Sequence, residues 1–115
     1  MSASQIPHRG DFLSVNFTPQ SGREQGGFRR ALVLSPYTYH QKTGLAIVCP
    51  ITGSQKSYPF EVEIPDGLAV YGVVLTDHVK SIDLSARGAK IEGQAPDDLV
   101  KKCSRYVKKL LPEDT

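Results

Sequence analysis

The sequence lacks the features that mark membrane, secreted and metal-stabilised proteins. Its longest run without a polar residue, residues 45–51, spans seven residues and contains a proline, far short of the ~18 apolar residues that cross a membrane. The first residues lack the basic and apolar regions of a secretory signal, so we expect a cytoplasmic protein. The only two cysteines, Cys49 and Cys103, have no CxxC spacing and no nearby histidine. We therefore expect two buried free thiols, and no disulfide, metal or cofactor.

The chain also lacks a strong charge bias. The sequence contains fourteen Lys and Arg residues and twelve Asp and Glu residues. The formal net charge of +2 does not by itself indicate a nucleic-acid partner. A chain of 115 residues is long enough to bury roughly two-thirds of its unfolded surface. We therefore expect one domain over residues 1–115 and no intrinsic disorder.

Residues typical of turns are spread along most of the chain. Ten Gly and eight Pro are scattered between short β-branched and aromatic runs, which predicts an all-β domain with many turns. Pro50 implies either a bulge or an unpaired edge in its strand. The predicted strands cover 11–17, 31–35, 45–52, 60–64, 70–75, 79–84 and 86–93; a surface loop covers 18–29, a short helical turn 36–44 and a hairpin loop 53–59.

One helix ends the sequence. Pro96 at a first helical position, acidic residues after it and Pro112 beyond the end predict its limits. Five basic residues fall on the arc opposite the apolar stripe, and a solvated face explains them more simply than a nucleic-acid contact. The predicted apolar stripe is Leu99, Cys103, Tyr106, Val107 and Leu110.

Several residues have the chemistry to act on a phosphodiester. The segment 23–30 combines arginines, whose planar donor fork fits phosphate oxygens, with glycines that allow close approach. Charged, glycine-rich loops are often only solvated surface loops without a binding role. Thr52 at a strand end is likewise explained by the preference of threonine for strands. The histidines His8, His40 and His78 leave a two-histidine nuclease open, although each is more simply a surface or structural residue.

Three segments of the chain resemble the MazF/PemK toxin family of bacterial endoribonucleases. They are GDFLSVNFTPQSGREQGGFRRALVLSP, YHQKTGLAIVCPITGSQKSYPFEV and GVVLTDHVKSIDLSARGAK. The similarity extends over residues 9–111. Its linked features are the initial GD, the EQxGxR loop, the LSP turn, the KTG before a strand ending in PxT, the YPFEV strand and the DHVKSID segment. Their shared order makes the resemblance specific.

The resemblance implies a mainly β fold, a small SH3-like β-barrel of the CcdB/Kid type with a C-terminal α-helix. It further implies a homodimeric toxin of a type II toxin–antitoxin system that cuts single-stranded mRNA. That cleavage is sequence-specific, independent of ribosomes and metals, and leaves a cyclic phosphate. The implied protein partner is a cognate antitoxin whose acidic disordered segment lies across the RNA groove.

The family's catalytic residues correspond to particular positions here. Its arginine falls on Arg29, its threonine on Thr52 and its loop glutamate on Glu24. Family members usually carry proline after the arginine, whereas this chain has Arg30, which is able to hold phosphate or to share the role of Arg29. The residues assigned to RNA binding are Gln25, Phe28, Arg30, Lys56 and Tyr58.

Two alternatives remain at this point. One is a gyrase poison of the same barrel type, but that branch relies on a Trp-containing tail and this chain has no Trp. The other is a non-catalytic SH3-like module that binds RNA or protein, an option left open by the arginine at position 30.

Overall fold

The computed structural model describes residues 6–18 and 27–113, and within these ranges the chain forms seven strands and two α-helices. A short 3-10 helix, Thr76–His78, connects the fifth and sixth strands. The elements are β1 Asp11–Asn16, β2 Phe28–Val33, α1 Tyr37–Thr43, β3 Leu45–Thr52, β4 Glu61–Glu63, β5 Val73–Leu75, β6 Lys80–Asp83, β7 Lys90–Gln94 and α2 Asp97–Lys109.

The strands form one antiparallel sheet in the order β4-β5-β3-β2-β1-β7, with β6 also paired to β3. This confirms the mainly β fold with a C-terminal helix. In the described part of the chain the terminal strands β4 and β7 do not pair with each other, so hydrogen bonding does not close the sheet into a ring. The predicted β-barrel is therefore an open sheet at the level of its hydrogen bonds.

The central strands are buried on both faces. In β1, Phe12 and Leu13 are both fully buried, yet they belong to different hydrophobic clusters because successive side chains point to opposite faces. Helix α2 covers the first face, where Leu99, Val100 and Cys103 pack. Phe12, the one apolar residue that breaks the alternation of apolar and polar residues along this strand, thus packs in the cluster beneath α2.

Strand β2 begins earlier than the apolar pattern indicates. The sequence places residues 28 and 29 in a loop and begins the strand at residue 31, but residues 28–30 pair with β1, with Arg29 opposite Val15 and Arg30 opposite Ser14. All three side chains are exposed, whereas Ala31 is fully buried. The ladder with β1 thus extends the strand past the end of the core, and a sequence pattern based on burial does not detect that extension.

Pro50 lies in the middle of β3 without a bulge. It is opposite Ala31 in a continuous register with β2. On the other edge β6 pairs with residues 45–48 and β5 pairs with residues 51–52. Pro50 falls between these two partners, where its missing N–H interrupts neither ladder. Of the two predicted possibilities, the unpaired edge is the correct one.

Helix α2 differs from its predicted stripe at both ends. Pro96 is the N-cap residue instead of the first helical residue, and Val100 is buried although the stripe omits it. Leu110 is the C-cap residue after the helix, and its side chain is exposed. Tyr106 is half-buried, and the ammonium groups of two lysines of this helix lie over its ring.

His40 is a structural residue in the core. Its Nε2 lies 2.6 Å from Ser35 Oγ and its Nδ1 lies 2.7 Å from the carbonyl oxygen of Pro7. These contacts tie α1 to the residues before β1 and to the end of β2, and they leave neither ring nitrogen for catalysis. Gly44 ends α1 in a left-handed conformation, with φ of 73°.

Both cysteines are free and buried, as predicted. Removal from water raises the pKa of each thiol from 9.0 to about 12, because burial disfavours the charged thiolate. The neighbouring Cys103 adds to the rise in the pKa of Cys49. The thiols therefore stay protonated in the folded protein over the range in which unfolded thiols ionise.

We predict that Cys103→Ala reduces the sensitivity of folding to alkali. Since the folded pKa is raised above the unfolded value, the stability linked to the thiol is fully present below pH 9 and is lost as the pH rises toward 12. Between pH 8 and 10 the free energy of unfolding of the variant should fall by about 1 kcal/mol less than that of the wild type. Urea unfolding at both pH values measures this, and equal falls would contradict the buried-thiol account.

Candidate active site

A cleft of about 280 Å³ opens where β2 begins, β3 ends and the chain enters β5. It is smaller than the roughly 300–1,000 Å³ pockets that enclose drug-sized ligands. Its lining residues are Phe28, Arg29, Arg30, Ile51, Thr52, Gly53, Ala69, Val70 and Tyr71.

The β2–β3 register brings Arg29 and Thr52 together. Arg30 is opposite Ile51 and Ala31 is opposite Pro50, so the next pair in the same register sets Arg29 opposite Thr52. Directly opposed residues share a face of the sheet, with Cβ atoms about 4.5–5.5 Å apart. Arg30 points to the other face, because side chains alternate along a strand. Of the two neighbouring arginines, Arg29 is therefore the one beside the threonine.

The hydroxyl group of Thr52 is oriented by the following loop. Its Oγ1 accepts a hydrogen bond from the backbone N–H of Ser54 at 3.1 Å. A hydroxyl has one proton to donate besides its acceptor lone pairs. The loop uses the acceptor side of the Thr52 hydroxyl and leaves its proton as a donor at the wall of the cleft.

Arg30 forms a loose ion pair across the sheet. Its Nη2 lies 3.4 Å from Oε1 of Glu92 on β7, and both side chains are at least one-third exposed. Exposed pairs of this kind contribute little stability. The contact directs the Arg30 guanidinium toward β7, although the residue still lines the cleft. Sequence reasoning missed Glu92, because nothing in its local pattern shows that β7 lies beside β1.

Gly72 allows the chain that enters β5 to approach the end of β3 closely beside Thr52. A Cβ on Gly72 would lie 2.3 Å from the Thr52 carbonyl oxygen, and the φ of Gly72 is 115°. A Cβ on Gly53 would lie 3.4 Å from a carbon of the Tyr71 ring. Tyr71 therefore lies against the backbone that immediately follows Thr52.

Tyr71 is the aromatic residue that sequence analysis missed. The segment 70–75 predicts a buried strand, but β5 contains only Val73–Leu75, and the Tyr71 side chain is 82% exposed. The available signal was Gly72, because a glycine that requires a positive φ marks the end of regular pairing. Phe28, also exposed, lines the same cleft from β2.

The other predicted site residues lie elsewhere. Lys56 and Tyr58 are exposed on the loop between β3 and β4 and are not among the residues that line the cleft. The backbone N–H groups of Lys56 and Ser57 donate to the Glu61 carboxylate at 3.1 and 2.9 Å, which holds this loop against β4. Glu24 and Gln25 lie outside the described residues.

None of the three histidines lines the cleft, which disfavours a two-histidine mechanism there. His8 stacks on Tyr37, with ring centroids 4.4 Å apart, and His78 lies in the 3-10 helix beside Asp77. Within residues 6–18 and 27–113, no three His, Cys, Asp or Glu side chains converge as a metal-binding group. The described helices include none with the length and apolar character needed to span a bilayer.

Comparisons with known proteins agree on one family. The family model of PemK-like, MazF-like toxins of type II toxin–antitoxin systems matches residues 8–111. The chain is 46% identical over 100 residues to the endoribonuclease toxin MazF of Escherichia coli strain K12, an alignment that covers 86% of this chain and 89% of that protein.

Solved structures share this fold. A crystal structure of MazF from Deinococcus radiodurans superposes with a TM-score of 0.89 at 47% identity, covering 92% of this chain and 96% of that one. A MazE-MazF crystal structure from the same organism gives a TM-score of 0.83 at 47% identity and the same coverage.

We predict that Gly72→Ala disrupts the packing at Thr52. The new methyl group would clash with the Thr52 carbonyl oxygen and strain a backbone with φ of 115°, at a cost of about 2–4 kcal/mol in the free energy of unfolding. Gly67→Ala is the matched control, because its φ of 89° is also positive but no heavy atom lies within 4 Å of the added Cβ. Urea unfolding of both variants isolates the clash, and equal losses of stability would contradict it.

Proposed function

This chain belongs to the PemK-like, MazF-like toxin family of type II toxin–antitoxin systems, and we propose that it is an endoribonuclease that cuts single-stranded mRNA in the cleft at the end of β3. The observation that carries this proposal is the convergence of Arg29 and Thr52 on that cleft. The cutting is sequence-specific and does not require the ribosome. The endoribonuclease activity of the E. coli relative supports the same reaction class.

Cleavage proceeds by attack of a ribose 2′-hydroxyl on the adjacent phosphorus. Negative charge grows on the non-bridging oxygens as the new P–O bond forms and the bond to the leaving 5′-oxygen breaks. The Arg29 guanidinium and the Thr52 O–H donate hydrogen bonds to those oxygens and stabilise the charge without a metal ion. The leaving 5′-oxygen takes a proton from water, so the products carry a 2′,3′-cyclic phosphate and a 5′-hydroxyl.

The proton of the attacking hydroxyl needs an acceptor. Arginine stays protonated at ordinary pH and is a poor base, so we assign this role to Glu24 on the basis of the family resemblance. An ionised carboxylate within hydrogen-bond reach of the 2′-hydroxyl is suited to this transfer.

The remaining site residues hold the RNA strand. Arg30 contributes positive charge at the cleft while it pairs with Glu92, and Lys56 binds a backbone phosphate farther along the loop. Phe28 stacks on an unpaired base at the cleft wall. Gln25 and Tyr58 complete the proposed RNA-binding set.

We propose further that the protein acts in the cytoplasm as a homodimer of single-domain chains, restrained by a cognate antitoxin. The MazE-MazF complex of the Deinococcus relative supports a protein partner of this kind. An acidic disordered segment suits the arginine-bearing cleft, because its carboxylates pair with the same guanidinium groups that bind phosphate.

Replacement of either central residue should abolish most of the cleavage. We expect Arg29→Ala and Thr52→Val each to lower kcat on a long RNA about 100-fold or more, because each removes a donor to the developing oxyanion. Thr52→Ser, which keeps the hydroxyl, should retain most activity. Arg105→Ala, which removes an exposed arginine of α2 outside the cleft, is the control for general loss of positive charge. Wild-type rates for folded Arg29→Ala and Thr52→Val would overturn the assignment.

The reaction class is tested by incubating the purified protein with a long RNA in EDTA. Discrete fragments that end in a cyclic phosphate are the expected result. Intact RNA that is only retarded on a gel would instead identify a binding module without catalytic activity.

A further inference from the structure

Two exposed aromatic side chains flank the proposed cleavage site. Tyr71 is 82% exposed and Phe28 is 67% exposed, and both line the cleft that contains Arg29 and Thr52. An exposed aromatic ring by itself needs no functional explanation. Two such rings beside a guanidinium group and a hydroxyl form a constellation that suits an unpaired nucleotide, which has a flat apolar base and a charged phosphate.

The strand order sets the backbones of these two residues on either side of Thr52, and both side chains line the cleft. Strand β3 lies between β2, which begins with Phe28, and β5, which Tyr71 precedes by two residues. Neighbouring strands are about 4.8 Å apart, so the two backbones are separated by roughly 10 Å. Rings in direct contact have centroids only about 4.5–7 Å apart. This separation leaves room for a base on each side of a phosphate that binds at Thr52.

The backbone on either side of Tyr71 places it beside Thr52. Its ring lies within 4 Å of the place that a Cβ on Gly53 would take, and Gly72 brings the next residue against the Thr52 carbonyl oxygen. The ring therefore packs on one side against the glycine that follows Thr52, while most of its surface stays open to a ligand. A ring with an accessible face at the wall of the cleft is suited to stacking on an unpaired base.

We infer that Tyr71 is a base-stacking residue that, together with Phe28, holds the two nucleotides on either side of the scissile phosphate apart. This inference rests on the proposed endoribonuclease function and deepens it. Splaying the two bases exposes the phosphate to Arg29 and Thr52 and helps to align the 2′-hydroxyl with phosphorus. Stacking also favours single strands over duplexes, since paired bases have no free face.

The test uses an oligonucleotide that spans a mapped cleavage site, with hydrogen in place of the attacking 2′-hydroxyl. We expect Tyr71→Ala to weaken its binding about 10- to 100-fold and to raise KM for cleavage of the natural RNA more than it lowers kcat. Tyr71→Phe keeps the ring and should bind like the wild type. Because Tyr71 is so exposed, neither substitution removes a core contact.

A second readout does not depend on loss of function. The chain contains no Trp, so Tyr71→Trp introduces a single tryptophan whose emission should be quenched when the oligonucleotide stacks on it. Leu111→Trp is the matched control, since Leu111 is 69% exposed and does not line the cleft. Its emission should change little.

The outcomes separate this inference from the proposed function. A wild-type protein that leaves RNA intact would overturn both. A wild-type protein that cuts RNA, with unchanged binding by Tyr71→Ala and no quenching in Tyr71→Trp, would overturn the stacking role alone. If Tyr71→Ala weakened binding of the antitoxin and left RNA binding unchanged, that result would also count against the stacking role of Tyr71.

Discussion

The antiparallel pairing of β2 with β3 is the constraint on which the site depends. Its register is locked by buried pairs, Leu32 with Cys49 and Val33 with Val48, all of them fully buried. A slip of one residue would turn every one of these side chains to the opposite face. The same register, continued past the core, sets Arg29 opposite Thr52. Packing energy in the middle of the sheet thereby fixes the geometry of two polar groups at its end.

The cleft lies at the end of the sheet, where side chains are no longer buried on both faces. Strands β1 and β3 are buried on both faces over most of their length, as is the second half of β2, and helix α2 covers one of those faces. Beyond Ala31 toward the beginning of β2 the side chains become exposed while the strand ladder continues. The proposed site residues are thus held by backbone hydrogen bonds at the end of the sheet, and their side chains remain exposed.

Local pattern and family resemblance predicted different parts of this arrangement. Periodicity located most strands and the C-terminal helix, and the motifs identified Arg29 and Thr52 as a pair. Neither separated Arg29 from Arg30 on physical grounds, because the choice depends on which face each side chain takes opposite β3. Tyr71 and Glu92 were missed for a related reason: their place at the cleft, or beside a residue that lines it, follows from strand order between distant segments.

The central claim is that Arg29 and Thr52 bind one scissile phosphate from adjacent strands. It is tested most directly by a crystal structure of the protein with an RNA strand in which a single 2′-hydroxyl, at the cut site, is replaced by hydrogen. Our account predicts non-bridging phosphate oxygens within about 3 Å of both the Arg29 guanidinium and Thr52 Oγ1. A scissile phosphate seated against Arg30 or the β3–β4 loop, with Arg29 and Thr52 out of reach, would contradict it.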